Sequence, residues 1–157
     1  MLCVSLTIKP AAAFKHTALE KSLSSPLNIS TILFALKFAW IVNSEDGLDE
    51  ISPYAKTNVI QLKDNKISEI VIDPKKLNVN SDKFENLVGN DAKFNADKMI
   101  NIFKGEDNDF SKAVCLNGAA GLIVNETHKN FAKAYNDTRE HILSNKVIKH
   151  LEKIQNA

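Results

Sequence analysis

The chain has 157 residues, 44% of them hydrophobic and 25% charged, with a formal net charge of +1. This length suits one domain with a real core, and the composition excludes a chain that is disordered or collagen-like from end to end. The near-zero net charge removes any broad electrostatic case for nucleic acid or an anionic membrane surface.

Residues 29–42 form the longest apolar stretch, but Ser30, Thr31 and Lys37 break it, and it falls short of the roughly 20 residues a bilayer-spanning helix needs. The apolar start is cut by Lys9 and Pro10 before a signal-peptide core can form, so a cytoplasmic, membrane-free protein is expected. Cys3 and Cys115 have no metal-ligand spacing and read as reduced thiols, Cys115 within an apolar run that suits a buried one. The sequons at Asn28, Asn125 and Asn136 are expected to be silent, because 17 asparagines generate such matches by frequency alone.

Along the chain, Pro10, Pro26 and the Ser24-Ser25 pair limit any helix over 11–23, and Asn28 or Ser30 can cap a helix through Leu36. Phe38-Ala39-Trp40-Ile41-Val42 has the continuous apolar, β-branched character of a strand inside a sheet. A polar turn-rich stretch, 43–50, follows. Residues 58–62 and 67–72 are β-prone runs separated by Lys63-Asp64-Asn65-Lys66, a pattern that predicts a hairpin ended by Asp73-Pro74. Residues 75–88 read as a polar connection anchored by Leu77, Val79, Phe84 and Leu87.

The remainder reads helical. Residues 95–104 place Met99, Ile100 and Phe103 at helical spacing before Gly105, which suits the left-handed position beyond a C-cap. Ser111 can cap a strongly apolar, central helix through Val124, in which Ala119, Ala120 and Gly121 would admit a close neighbour. Two amphipathic helices, 129–143 with Phe131, Ala134, Tyr135, Thr138 and Ile142 on one stripe, and 147–154, complete an α/β or α+β domain.

Four carboxylates, Glu45, Asp46, Asp49 and Glu50, fall within six residues just after the buried strand. Hard oxygen ligands suit Mg²⁺, which takes one or two protein carboxylates and completes its shell with water and phosphate. A solvated acidic turn gives the same pattern, and composition alone favours it, since surface loops are often acidic. His16, His128, His141 and His150 form no metal-binding pair and read as surface residues, while the five glycines form no phosphate-cradling loop. Gly118-Ala119-Ala120-Gly121 fits close helix packing better.

Residues 39–52, Ala-Trp-Ile-Val-Asn-Ser-Glu-Asp-Gly-Leu-Asp-Glu-Ile-Ser, resemble the segment of the anthranilate phosphoribosyltransferase family that joins a core strand to its acidic Asp-Glu motif. Further landmarks follow in the family's order: the hairpin after Thr57, Asp73-Pro74, Leu87-Val88-Gly89-Asn90-Asp91 before Asn95-Ala96, Phe103-Lys104-Gly105, and Val114-Cys115-Leu116-Asn117-Gly118-Ala119-Ala120. They fit this family better than the pyrimidine-nucleoside phosphorylases that share its general fold.

The resemblance implies the C-terminal part of a nucleoside phosphorylase/phosphoribosyltransferase-like α/β domain over 37–157, with 1–36 a poorly matching, remnant segment in which 10–23, with Phe14-Lys15-His16, resembles a stretch upstream of the acidic motif. It implies transfer of phosphoribosyl from phosphoribosyl pyrophosphate to anthranilate in tryptophan biosynthesis. Asp49 and Glu50 match the pair that holds Mg²⁺ against the pyrophosphate; Glu45 and Asp46 stay loop residues, and no catalytic residue is assigned.

The family's glycine-rich phosphate loop, Lys-His-Gly-Asn segment and helical N-terminal domain have no counterpart here, and no arginine precedes Arg139 to hold the anthranilate carboxylate. The alternative reading is therefore a catalytically inactive remnant or a packing module. With upstream strands absent, the strand 38–42 is expected to leave an apolar edge open to self-association.

Overall fold

A computed structural model describes residues 7–10, 36–81 and 83–156. The expected helices at 11–23 and before Leu36, together with Cys3 and His16, lie outside these residues. The sheet has four strands in the order β1-β2-β3-β4, antiparallel throughout: β1 is Thr7–Pro10, β2 Leu36–Ser44, β3 Thr57–Lys63 and β4 Lys66–Ile72.

β2 is longer than its apolar centre, and Leu36, expected to close a helix, opens it. Phe38, Trp40, Val42 and Ser44 alternate along one face and are buried, while Ala39 is buried on the other. Because Thr7, Ile8, Lys9 and Pro10 pair with Trp40, Ala39, Phe38 and Leu36, the open edge expected at 38–42 is not there. Pro10 sits at the irregular end of that ladder, where its missing N–H costs no regular hydrogen bond.

Among the described residues the sheet's edges are instead β1 and β4, and β4 exposes Ile67 and Val71. Lys66, Ser68 and Glu69 interrupt its apolar run and oppose edge-to-edge pairing.

The hairpin forms as read. Lys63 faces Lys66, and Asp64 and Asn65 take φ of 48° and 60°, the left-handed pair a two-residue turn needs. Asp73 then accepts a hydrogen bond from the Lys75 N–H at 3.0 Å and starts a short 3₁₀ turn, Pro74–Leu77. Of the connection's expected anchors, Val79 is buried and Leu77 packs on the core, but Phe84 is exposed and only meets the Tyr54 ring at 6.1 Å.

Helix α1, Ala92–Phe103, begins three residues before the expected start because Asp91 caps it, accepting from the Phe94 N–H at 2.8 Å. Its buried anchor is Ile102, not Met99, which is exposed. Gly105, at φ 102°, ends it in a Schellman turn: Glu106 N–H donates to the Asn101 carbonyl and Gly105 N–H to that of Ile102.

Helix α2, Asp109–Val124, is the central buried helix, with Cys115, Leu116 and Ala119 wholly buried. Its cap is Asn108. Ser111 occupies the third helical position and completes a reciprocal capping box, since an N-cap residue must lie outside the helix. Burial pushes the Cys115 thiol up to about 11, so it stays protonated, as a reduced core cysteine should. Helices α3, Phe131–Leu143, and α4, Lys146–Gln155, follow, and α3 buries Ala134, Tyr135, Thr138 and Ile142 as its periodicity requires. None of the described helices is long and apolar enough to cross a membrane.

The close approach of α2 and α3 falls at Gly118, where an added Cβ would lie 2.8 Å from the Thr138 methyl carbon; at Gly121 it would meet nothing within 4 Å. Thr138 is buried and stiff about χ1, so it yields little. Gly118→Ala should therefore lower stability by about 1 kcal/mol, overpacking outweighing the gain in helix propensity, whereas Gly121→Ala should raise it by about 0.5–1 kcal/mol. Urea denaturation of the two variants checks the opposite signs.

Candidate functional site

The acidic loop, residues 45–56, leaves the carboxyl end of β2 and returns into β3. Its neck is closed by backbone: Ser44 N–H donates to the Leu48 carbonyl at 2.9 Å, Gly47 N–H to that of Ser44 at 3.0 Å, and Glu45 N–H to that of Lys56 at 2.9 Å. The turn needs φ of 91° at residue 47, a conformation glycine supplies without strain.

Asp46 belongs to the scaffold. Its carboxylate accepts from the Leu48 N–H at 3.3 Å and the Ser52 hydroxyl at 2.5 Å, and Ser52 Oγ in turn accepts from the N–H groups of Tyr54 and Ala55. The Ser52 N–H reaches Thr57 Oγ1 at 3.1 Å, which ties the loop to the start of β3. These bonds explain why one of the four carboxylates is spent on holding the loop's shape.

The loop's far side is fastened to α2 at two places. Asn117 accepts from the Ile51 N–H at 2.9 Å and donates to the Ile51 carbonyl at 3.1 Å, while its amide also reaches the Ala113 carbonyl at 3.0 Å. Two turns earlier on the helix, buried Asp109 accepts from the Tyr54 hydroxyl at 3.0 Å, Asn86 Nδ2 at 2.8 Å and Lys112 Nζ at 2.9 Å. Burial alone would raise the Asp109 pKa, but donors from Asn86, Lys112 and Tyr54 prevail and hold its carboxyl far below the usual carboxylate range. Lys112 Nζ also donates to the Asn80 carbonyl, so the 75–88 connection is gathered onto the same helix.

Asp49 and Glu50 directly precede the Ile51 attachment, Asp49 half-buried and Glu50 exposed. They border a groove of about 500 Å³ lined also by Leu48, Ile51, Leu87, Phe110 and Asn117. No group of three or more histidine, cysteine or carboxylate side chains that could cage a metal is present among the described residues. Two adjacent carboxylates fit an ion that takes few protein ligands and fills its shell with water and phosphate oxygens, which is the coordination habit of Mg²⁺.

Of the histidines, His141 and His150 are exposed as expected, but His128 is not a surface residue. Its side chain is 16% exposed and its Nε2 lies 2.7 Å from Asp137 Oδ2, because the turn after α2 folds it against α3. Arg139 is paired with Asp107, in the turn that precedes α2. Sequence reasoning gave Asn117, Asp109, Tyr54 and Asn86 no role at the loop. One signal did point to Asn117: a polar amide in the middle of an apolar helix disfavours the helix unless it bonds elsewhere.

The model of the glycosyl transferase family, a/b domain, matches residues 17–147, more than half of the chain. The chain belongs to that family. A curated anthranilate phosphoribosyltransferase from Pelagibacter ubique (strain HTCC1062) is 72% identical over 122 residues, covering 78% of this glycosyl transferase-family chain and 37% of that protein. Among solved structures, anthranilate phosphoribosyltransferase from Saccharomyces cerevisiae in complex with 4-fluoroanthranilate matches with a TM-score of 0.63 at 24% identity, over 72% of this chain and 33% of that one. The same yeast enzyme in complex with PRPP and Mg gives a TM-score of 0.62 at 23% identity, over the same 72% and 33%.

These matches bear out the resemblance carried by residues 39–52 and by the later landmarks, and with it the α/β fold. The chain spans about a third of the length of the relatives it matches.

Proposed function

We propose that this chain carries the metal and diphosphate portion of an anthranilate phosphoribosyltransferase site, with Asp49 and Glu50 holding Mg²⁺ against the pyrophosphate of phosphoribosyl pyrophosphate. The observation that carries the reading is the placement of this carboxylate pair. It lies at the carboxyl end of a core strand, beside an open groove, on a loop whose shape is fixed from below by Asp46, Ser52 and Asn117.

Mg²⁺ held there would neutralise the charge that builds on a departing pyrophosphate. The chain's own part is positional: Asp49 and Glu50 offer oxygen ligands, and Asp46 and Ser52 keep the turn from collapsing onto them. The remaining work of the transfer is alignment of anthranilate nitrogen with the ribose carbon, which needs both substrates held at once. These 157 residues contain no glycine-rich phosphate loop, so this chain by itself should grip the metal diphosphate without turning over.

Calorimetric titration with inorganic diphosphate and saturating Mg²⁺ should give uptake that falls at least tenfold in affinity in the Asp49→Asn, Glu50→Gln double variant, while anthranilate fluorescence stays constant in the presence of phosphoribosyl pyrophosphate. Equal uptake by the two proteins would remove the metal role. Steady loss of anthranilate fluorescence would show instead that the chain is an enzyme in its own right.

A further inference from the structure

Asn117 is 66 residues from the loop it holds, yet its amide closes both backbone groups of Ile51, the residue immediately after Asp49 and Glu50. A carboxamide that both donates to and accepts from one peptide unit fixes that unit's orientation as well as its distance. The third bond, to the Ala113 carbonyl one turn back, locks the amide itself, so it has no free rotamer to follow a moving loop.

Asp109, Ala113 and Asn117 are spaced four apart and so share one stripe of α2. The loop is thus seated on a single rigid rail, by Tyr54 at one end and Ile51 at the other. Of the two seats, the Ile51 seat is adjacent to the carboxylate pair, and Asn117 lines the same groove as Asp49 and Glu50.

We infer that Asn117 is a positioning residue for the metal site: by clamping the Ile51 peptide to α2 it sets the separation and direction of the Asp49 and Glu50 carboxylates before the metal diphosphate arrives. This rests on the metal reading of that pair. Groups that orient ligands in this way cost about tenfold to a hundredfold in metal affinity when removed.

The test compares the complete 157-residue chain with Asn117→Ala and Gly118→Ala. The second variant is the control, because its added methyl strikes Thr138 on α3 and not the loop. In calorimetry with Mg²⁺ and inorganic diphosphate, Asn117→Ala should weaken binding at least tenfold, and Gly118→Ala should leave it unchanged at a comparable loss of thermal stability. Adding Asn117→Ala to the Asp49→Asn, Glu50→Gln variant should cost nothing more, since the clamp acts through the pair. Amide exchange at Ile51 should accelerate in Asn117→Ala while the β2–β3 ladder keeps its protection.

Unchanged affinity in Asn117→Ala, or an equal loss in Gly118→Ala, overturns the positioning role while leaving the metal reading in place. Absence of uptake by the unaltered chain overturns the metal reading and the positioning role with it.

Discussion

Asp109→Ala is expected to destabilise the chain by about 2–4 kcal/mol at neutral pH, as a loss of chemical-denaturation free energy. The carboxylate is buried and accepts from three different segments, through Tyr54, Asn86 and Lys112, so its removal takes one shared acceptor from all three donors at once. Lys112 keeps partial access to water and its bond to the Asn80 carbonyl, which places the loss below that of a wholly buried pair. Asp109→Asn, which keeps one acceptor oxygen, should cost about 1–2 kcal/mol.

The same site sets an acid dependence. The folded-state pKa of Asp109 is depressed, because the hydrogen bonds favour the anion more strongly than burial opposes it. Its contribution is therefore complete above the ordinary carboxylate value of about 4 and is lost as the pH falls from there towards the depressed folded value. The stability gap between the unaltered chain and Asp109→Asn should narrow steadily below about pH 4. Urea denaturation at pH 7 and pH 3 measures it, and a gap of constant size at both values would show that the carboxylate is not ionised in the folded chain as the geometry requires.

What was readable in the sequence was whatever depends on neighbours along the chain. The hairpin was written in Asp64-Asn65, the end of α1 in Gly105, and α2 in the run from Ala113 to Val124. Partner-dependent features were not. The cap of α2 fell on Asn108 because only the geometry of the turn distinguishes a capping residue from a hydroxyl three positions inside, and Ser111 satisfies both descriptions in the sequence. Gly118 and Gly121 look equivalent in one dimension, but α3 passes over the first and misses the second. Nor could β2's apolar run announce that Thr7–Pro10 would cover one of its sides, since strand pairing across an intervening stretch leaves no local pattern.

The candidate site divides the same way. Asp49 and Glu50 stood out as a carboxylate pair after a strand, and the family resemblance singled them out from Glu45 and Asp46. Asp46 then proved to be occupied by the Leu48 N–H and the Ser52 hydroxyl, a physical reason for setting it apart that no count of acidic residues supplies. The supports contributed by Asn117 and Asp109 reach the loop across 66 and 55 residues, so only the fold brings them into view.

Trp40→Ala should produce the largest loss of all, about 3–5 kcal/mol. The indole is 3% exposed in the centre of β2 and packs on Phe131 of α3 at 6.0 Å between ring centroids, so it joins the sheet to the helical layer. It also begins a row of side-chain hydrogen bonds across the sheet: its Nε1–H donates to Gln61 Oε1 at 2.9 Å, and Gln61 Nε2 donates to Ser68 Oγ at 3.2 Å, these three residues being register partners on β2, β3 and β4. Alanine removes the packing and strands the Gln61 carbonyl together. Trp40→Phe keeps most of the packing and should cost about 1–2 kcal/mol, mainly from the unmatched Gln61 oxygen. Because β2 carries the neck of the acidic loop, the alanine variant should also weaken uptake of Mg²⁺ with diphosphate, whereas the phenylalanine variant should bind nearly as well as the unaltered chain. Trp40 is the only tryptophan, so circular dichroism must follow unfolding of both variants. A loss below about 1 kcal/mol in Trp40→Ala would mean that the sheet and α3 are joined elsewhere than through this ring pair.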